Sequence, residues 1–309
     1  MLTVAIGLAA ALIFGSADFF GGMASKRISP LRVTAIGALS GLAVLFAAMP
    51  FVGGRWSWSA VLLGGLSGIT GAAAISLLYA CLALGPMSIL SPLTAVVSAF
   101  IPLFVGLLRG ERFPLIGYLA IGLALAAVVL VGFVPASNDK RKPGDDGWAA
   151  LVEGMRPTVR AVLMAVGSGL MIGAFLVIID LTPKTSGLVP LIANRAVNGI
   201  IMFSVVGVLA VVARRRARAL ATSLDPGARG GWRAGLMLAV VVGTIDATAN
   251  ALLLLGLRLG ELTVMSVLTA LYPAGTIILA AIVLKERIAP LQVLGLVLAL
   301  IAAAMLAIA

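Results

Sequence analysis

Three charged side chains stand inside long apolar stretches of this chain: Asp18, Arg195 and Asp246. A charge near the middle of a lipid bilayer costs about 3 kcal/mol or more unless it is paired or hydrated, so each residue needs a structural or chemical reason. A carboxylate there can load and release a proton, whereas a guanidinium keeps its charge and binds an anionic group. These residues therefore predict either a polar binding site in apolar surroundings or a buried ion pair.

Arg195 lies in the segment LIANRAVNGI, directly after Asn194 and three residues before Asn198. Residues three apart share one face of a helix, so Arg195 and Asn198 can present donors and acceptors to the same cavity. The alternative is an ion pair of Arg195 with Asp246 or Asp18 that only holds helices together. The sequence leaves both interpretations open.

The two aspartates also have polar neighbours. Asn250 follows Asp246 by one helical turn in GTIDATANALL, which predicts a polar face and a carboxylate able to take up and release a proton. The alternative for Asp246 is a permanent ion pair with Arg195. Asp18 follows Ser16, a further candidate for a cavity lining, in the segment GSADFFGG. The small residues there allow close helix approach or a local unwinding that opens the backbone to a ligand. The alternative for Asp18 is a position at the membrane surface.

An internal repeat contains a second set of polar residues. The segments from Gly85 to Arg112 and from Gly260 to Arg287 align without a gap at a shift of 175 residues. Hydroxyl residues at spacings of three to four predict a cavity lining in both copies: Ser91, Thr94 and Ser98, then Ser266, Thr269 and Tyr272. The alternative is bonding of these hydroxyls to their own or a neighbouring helix. Tyr79 is a further candidate, as a gate over the cavity or an anchor at the membrane surface.

The same repeat carries a charged pair, Glu111-Arg112 in the first copy and Glu286-Arg287 in the second. Both pairs follow an apolar stretch, where opposite charges can cap or pin a helix end. We expect each pair to cap the next helix of its own half, as a structural feature and not as a cargo ligand.

The composition requires a lipid environment. The chain has 309 residues, of which 62% are hydrophobic and 11% charged, and its mean hydropathy is +1.20. A soluble core cannot hide so much apolar surface, so the bilayer must be the solvent. The net charge is +11, but the basic residues flank the apolar stretches, which predicts contact with anionic lipid and not with nucleic acid.

Several classes of site need residues that this chain lacks. It has no histidine and a single cysteine, Cys81, which excludes histidine-dependent metal, haem and nucleophile sites and an internal disulfide. We expect no cofactor and no metal. The chain also has no Walker A sequence, so any transport must draw on a gradient, on exchange or on the cargo's own concentration difference.

Ten windows of about 20 apolar residues are each long enough to cross a bilayer as a helix. They lie near residues 2–24, 31–52, 58–82, 87–108, 114–134, 159–181, 187–213, 233–256, 262–284 and 290–309. We predict an all-α polytopic membrane protein with ten transmembrane helices in two inverted five-helix repeats, 1–134 and 159–309, joined by a polar linker, 135–158. Basic residues number 16 on one side and five on the other, which puts both termini outside the cell.

Three segments carry a resemblance to a known family: AALIFGSADFF at 10–20, LLRGERFPLIG at 107–117 and LYPAGTIILAAIVLKERIAPLQVLG at 271–295. They resemble the drug/metabolite transporter superfamily, in its EamA-type branch of two five-helix repeats, and the resemblance covers nearly the whole chain. This chain differs from the usual pattern at Phe14, where tryptophan is common, and at Lys285, where the first repeat has glycine. Members of the family have cytoplasmic termini, opposite to the orientation that the basic residues predict.

The resemblance implies a secondary active transporter of small metabolites in the bacterial cytoplasmic membrane, most often exporting amino acids or related polar or amphipathic compounds. Two alternatives come from other classes of protein. One is a membrane-embedded enzyme using Asp18 and Asp246, but the chain lacks the Gly-x-Gly-Asp motif that such enzymes share. The other is a non-transporting structural subunit, which the doubled architecture disfavours. We therefore expect a transporter and not an enzyme.

Overall fold

The computed structural model of the chain describes residues 1–25, 27–84, 87–132, 158–219, 232–285 and 288–309. These residues form helices joined by turns and short connections, without a strand among them. In chain order the α-helices are α1 Leu2–Ser25, α2 Pro30–Val52, α3 Trp58–Leu84, α4 Met87–Leu108, α5 Leu115–Gly132, α6 Val159–Asp180, α7 Val189–Ala219, α8 Trp232–Leu259, α9 Leu262–Thr269, α10 Tyr272–Val283 and α11 Pro290–Ile308. A short 3-10 helix, Lys184–Ser186, precedes α7.

Eight helical stretches of the described residues are long and apolar enough to cross a membrane. They are Leu2–Ser25, Pro30–Val52, Trp58–Leu78, Val159–Asp180, Val189–Val212, Trp232–Leu259, Leu262–Val283 and Pro290–Ile308. Two shorter apolar stretches lie in α4 and α5, so the all-helical membrane architecture is confirmed and the number of ten spans stays a prediction. Large hydrophobic side chains are exposed on the outside of the bundle, as contact with lipid requires, among them Phe51, Phe104, Leu163 and Ile200.

The ninth predicted span is interrupted near its middle. α9 ends at Thr269 and α10 begins at Tyr272, with Pro273 in the first turn of α10. Proline has no backbone N–H and its ring crowds the preceding turn, which weakens or breaks a helix at that point. The repeat alignment puts Ser98 opposite Pro273, and α4 runs through Ser98 without interruption. The two halves therefore differ at this point, although α4 also runs through a proline, Pro102, without a break.

The helices of each half pack mainly against the other half. α1 packs against α8 and α10, and its counterpart α6 packs against α3 and α4. α2 contacts α7 and α8, α7 contacts α2 and α3, and α5 pairs with α11. Each of these contacts is also made by the equivalent helices of the other half, as expected for two copies of one repeat.

Glycines let these helices approach closely. A Cβ on Gly64 of α3 would lie 2.3 Å from the carbonyl oxygen of Pro190 in α7, and a Cβ on Gly15 of α1 would lie 2.3 Å from that of Tyr272 in α10. Both distances are far below van der Waals contact, so only glycine fits at these crossings. The contact of α1 with α10 matters for the site because it holds α1 against the helix interruption.

The division into residues 1–134, 135–158 and 159–309 stays a prediction, and nearly all of the linker lies outside the described residues. The second half begins where the linker ends. Thr158 precedes α6, and its Oγ1 accepts a hydrogen bond of 3.2 Å from the backbone N–H of Ala161. This side-chain cap satisfies one of the free N–H groups at the start of the helix.

Candidate functional site

A cavity of about 210 Å³ lies within the helix bundle. α1, α3 and α4 of the first half line it together with α6, α7, α8, α9 and α10 of the second half. Its lining combines apolar, polar and charged side chains: Phe14, Asp18, Gly71, Ala74, Ile75, Leu78, Ser98, Ile172, Phe175, Leu176, Asn194, Arg195, Asn198, Asp246, Asn250, Leu253, Thr269, Ala270 and Tyr272. The three charged residues predicted from the sequence all reach this one cavity.

Arg195 and Asp246 form an ion pair between α7 and α8, with Nη2 of the guanidinium donating to Oδ2 of the carboxylate. The Arg195 side chain is 10% exposed and that of Asp246 is 28% exposed, so the pair is buried on one side and open to the cavity on the other. Nε of Arg195 is buried without a hydrogen-bond partner in the described structure. The pair therefore neutralises both charges and leaves a buried guanidinium donor, Nε, without a partner.

The three cavity asparagines have different partners. Nδ2 of Asn194 donates to Oγ of Ser67, at 2.8 Å, which fixes α7 to α3. Nδ2 of Asn250 donates to the backbone oxygen of Asp246, at 2.8 Å. Oδ1 of Asn198 is buried and has no hydrogen-bond partner in the described part of the chain. Two of the three amides thus use their NH2 groups within the protein, and the third has an unpaired oxygen.

Asp18 lies in α1, and its side chain is exposed into the cavity. Within the described ranges, neither of the two ion pairs includes it. Asp246 lines the same cavity. Asp18 therefore lines the cavity, and its depth in the membrane stays a prediction.

The interruption between α9 and α10 also opens onto the cavity, through Thr269, Ala270 and Tyr272. Oγ1 of Thr269 donates to carbonyls of its own helix at 2.7 and 3.1 Å, and Oγ1 of Thr276 donates to the backbone oxygen of Gly15 at 3.0 Å. Interrupted helices in transporters present backbone groups to cargo at such points. The break thus belongs to the cavity wall, and the bond of Thr276 holds α10 to α1 behind it.

Three of the predicted site residues do not line the cavity. Oγ of Ser16 donates to a carbonyl of its own helix at 2.8 Å, as does Oγ of Ser266 at 2.8 Å. Thr94 is buried, and its Oγ1 donates to the backbone of α6 at 3.2 Å. These hydroxyls follow the alternative interpretation, in which they bond to helix backbone. The side chains of Tyr79 and Ser91 lie outside the described part of the structure.

Much of the cavity wall is apolar and was not predicted. Phe14, Ile75, Phe175 and Leu253 line it beside the polar groups. In the sequence these residues look the same as the apolar residues that face lipid, since both belong to uniformly apolar stretches. Ser98 also lines the cavity, and it was predicted to do so because it belongs to the series of hydroxyl residues at spacings of three to four.

A second polar cluster, the end cluster, comprises Arg109, Glu111, Asp180 and Arg258. Arg109, just after α4, forms an ion pair with Asp180 at the end of α6. The Glu111 carboxylate accepts backbone hydrogen bonds from the first two residues of α9, 3.0 Å to Oε1 and 3.1 Å to Oε2. Each contact joins one half to the other. The expectation that Glu111 caps the next helix of its own half is therefore wrong. The equivalent residue of the second half, Glu286, lies outside the described residues.

The remaining contacts of the end cluster close the same end of the bundle. Nη2 of Arg258 donates to the oxygen of Gly187 at 2.9 Å and to Oγ of Ser186 at 3.2 Å. Beside Glu111, partial burial raises the pKa of Glu261, and repulsion from the Glu111 carboxylate raises it further. At this end, charge-assisted bonds of Arg109 and Glu111 thus join the two halves, and those of Arg258 hold α8 to the start of α7 within the second half.

Comparisons with known proteins agree with this architecture. The model of the EamA-like transporter family matches residues 1–133 and 159–308. No curated protein matches the chain. A crystal structure described only as that of a protein matches with a TM-score of 0.66 and 18% sequence identity, over 99% of this chain and 98% of the other, which shows a shared fold. The two matched repeats cover most of the sequence, and the chain belongs to the EamA-like transporter family.

Proposed function

We propose that this protein is a secondary active transporter that moves small polar or amphipathic metabolites, such as amino acids or related compounds, out of the cell by alternating access. The observation that carries the proposal is the cavity, which both halves line and which contains two aspartates, an arginine and three asparagines. Membrane helices keep such groups in their interior where a polar solute or ion passes. A purely structural ion pair would not need the surrounding wall of amide and hydroxyl groups.

Alternating access requires that the two halves separate at one end while they close at the other. The end cluster supplies bonds for one closed state, through the ion pair of Arg109 with Asp180 and the bonds of Glu111 to α9. In our proposal these bonds break when the cavity opens at that end. The ten-span arrangement of two inverted five-helix repeats supplies the rigid units that move, in a bacterial cytoplasmic membrane.

The proposal also includes coupling to protons. Asp18 and Asp246 are the carboxylates of the cavity, and membrane transporters use such residues as proton relays. In this scheme a proton enters one of the carboxylates from one side and leaves on the other side as the cargo moves in the opposite direction. Arg195 keeps Asp246 in place throughout.

The test is release of a mixed load of amino acids and metabolites from proteoliposomes containing the purified protein, with and without an imposed pH gradient, read by mass spectrometry. We expect selective, saturable release that the gradient accelerates. Asp18→Asn and Asp246→Asn should each remove the acceleration, while Glu261→Gln, a carboxylate change outside the cavity, should keep it. Release at the same rate with and without the gradient would refute coupling to protons. If folded protein releases none of the loaded amino acids and metabolites, transport of these compounds is refuted.

A further inference from the structure

Basic side chains gather at the end of the bundle opposite the end cluster. α8, whose last turn belongs to the end cluster, begins at this opposite end with Trp232 and Arg233. The turn between α1 and α2 lies beside it, since a Cβ on Gly235 of α8 would be 3.2 Å from the Cβ of Arg27 in that turn. Cζ of Arg32, near the start of α2, lies 5.5 Å from the centre of the Trp232 ring. We call Arg27, Arg32, Trp232 and Arg233 the basic patch.

The three arginines of the basic patch have no carboxylate partner among the described residues. All three are exposed, and neither of the two ion pairs in the described ranges includes them. The described carboxylates lie elsewhere, two of them in the cavity and three at or beside the end cluster. At the end cluster, Asp180 neutralises Arg109, whereas no described carboxylate does the same at the basic patch. The basic patch therefore attracts anions.

The basic patch also has hydrogen-bond donors to offer. The Arg32 guanidinium lies over the Trp232 ring, and a cation is attracted by an aromatic ring without using an N–H group as a donor. Ser29 precedes α2 but does not cap it with its side chain, so the partial positive charge at the start of this helix is also available. A guanidinium binds a phosphate through paired N–H···O bonds, and the start of a helix favours the same group. The patch thus matches a phosphate.

An apolar surface continues from the basic patch along α8. Its next turns expose large hydrophobic side chains, of which Met237 is 70% exposed, and the others are Leu236, Val240 and Val241. α8 is long and apolar enough to cross a membrane, so this surface faces the acyl chains of lipid. Trp232 is itself partly exposed, and tryptophan is enriched where a membrane meets water. A ligand that fits both surfaces has a phosphate above a hydrocarbon chain, which free phosphate lacks.

We propose that the basic patch is a binding site for an anionic phospholipid, with the phosphate on the arginines and the acyl chains along α8. The patch lies where membrane-spanning helices begin, which is the depth of the lipid headgroups. A zwitterionic lipid carries the same phosphate together with a cation that the arginines repel, so the anionic headgroup binds more tightly. α2 belongs to the first half and α8 to the second, so the bound lipid joins the two halves. The site lies apart from the cavity, and lipid binding there is independent of the cargo.

The fluorescence of Trp232 tests this proposal, because it reports which lipids lie beside the patch. The chain has four tryptophans, so Trp56→Phe, Trp58→Phe and Trp148→Phe together leave Trp232 alone. This reporter chain is placed in phosphatidylcholine vesicles that contain a fraction of brominated phosphatidylglycerol or, in parallel, of brominated phosphatidylcholine. Quenching, normalised to vesicles without bromine, gives the relative affinity, and we expect phosphatidylglycerol to bind at least about fivefold more tightly. Equal quenching by the two lipids would overturn the proposal.

Variants in the reporter chain separate a defined site from a generally basic surface. Arg27→Gln, Arg32→Gln and Arg233→Gln together should abolish the preference for phosphatidylglycerol. Arg160→Gln is the matched control, because Arg160 is an exposed arginine in the first turn of α6, at the same end of the bundle, and is not part of the patch. This control should keep the preference. If Arg160→Gln lowers the preference as much as the three changes do, the surface is only basic in general and the assignment of a site is wrong.

Native mass spectrometry gives a second measurement on the chain with all of its tryptophans. Phosphatidylglycerol or phosphatidylcholine is added to the detergent-purified wild type and to the variant with the three arginine changes. We expect the wild type to bind its first phosphatidylglycerol about tenfold more tightly than the variant does. Elution as a single species from gel filtration controls for folding. If the variant or the reporter chain fails that control, the wild type decides, since equal binding of the two lipids to it would refute the site.

Discussion

Glu111 provides the sharpest test of how the two halves are held together. Its two carboxylate oxygens accept bonds from the backbone N–H groups of Leu262 and Thr263, at 3.0 and 3.1 Å. Gly106 leaves space for this contact, since a Cβ there would lie 2.3 Å from Oε2 of Glu111. Removing the carboxylate leaves the start of α9 without these acceptors. We predict that Glu111→Ala and Glu111→Gln both weaken the closed end.

The magnitude follows from the number and type of bonds. A side-chain cap contributes about 0.5–2 kcal/mol, and a net hydrogen bond to a charged group about 1.5–3 kcal/mol. Glu111 is only partly buried, so water replaces part of what is lost. We expect Glu111→Ala to lower the free energy of unfolding by about 2–3 kcal/mol. Glu111→Gln keeps one acceptor but loses the charge, and should cost about 1–2 kcal/mol.

The assay is a denaturant titration of the purified protein in detergent micelles, with the wild type and both variants at the same pH. Glu261→Gln is the matched control, because Glu261 immediately precedes the same helix and its side chain makes no capping bond. Removing its charge also relieves repulsion with Glu111, so this control should be no less stable than the wild type. Equal loss of stability in Glu111→Gln and Glu261→Gln would refute the assignment of the bonds to Glu111.

Three further predictions concern other parts of the bundle. Gly15→Ala should cost about 1–3 kcal/mol because its Cβ would meet the backbone of α10, whereas Gly22→Ala on the same helix, with open space around it, should be neutral or slightly stabilising in the same titration. Asp246→Asn should cost about 3 kcal/mol by leaving the Arg195 guanidinium without its partner, and adding Arg195→Met should recover part of that loss in the same unfolding assay. Burial and repulsion raise the pKa of Glu261 above its ordinary value of 4.5, so this group binds its proton more tightly in the folded protein. Its contribution to stability should therefore fall as the pH rises from about 4.5 towards the raised pKa, and Glu261→Gln should remove that fall in unfolding midpoints measured across this range.

The helices were predictable because a membrane helix needs about 20 apolar residues and little else. The predicted windows differ from the observed helices by a few residues, as for α7, which continues to Ala219 beyond the window 187–213. Pro273 indicates a weak point in the ninth span, but it does not by itself predict the interruption after Thr269, because α4 runs through Pro102 without a break. The consequence of the interruption, that Thr269 lines the cavity while the equivalent Thr94 packs against α6, needed the tertiary structure.

The charged site residues were predictable for the same energetic reason. Asp18, Arg195 and Asp246 are costly in lipid, so their presence in apolar segments indicates a shared interior site. The sequence does not say which of the aspartates pairs with Arg195, because the pairing depends on helix packing across the two halves. The apolar wall and the long-range bonds of Glu111 could not be predicted either, since neither has a signature in residue type or local spacing.

The packing of each half against the other also constrains how the protein is made. The main partners of α1 are α8 and α10, and about 200 residues separate the end of α1 from the start of α8. At roughly 5–20 residues per second, synthesis of that stretch takes some tens of seconds. During this interval α1 stays in the bilayer without its final partners and with Asp18 not yet enclosed. The apolar residues of α1, with a mean hydropathy of 1.9, must therefore hold this helix in the membrane unaided until the second half arrives.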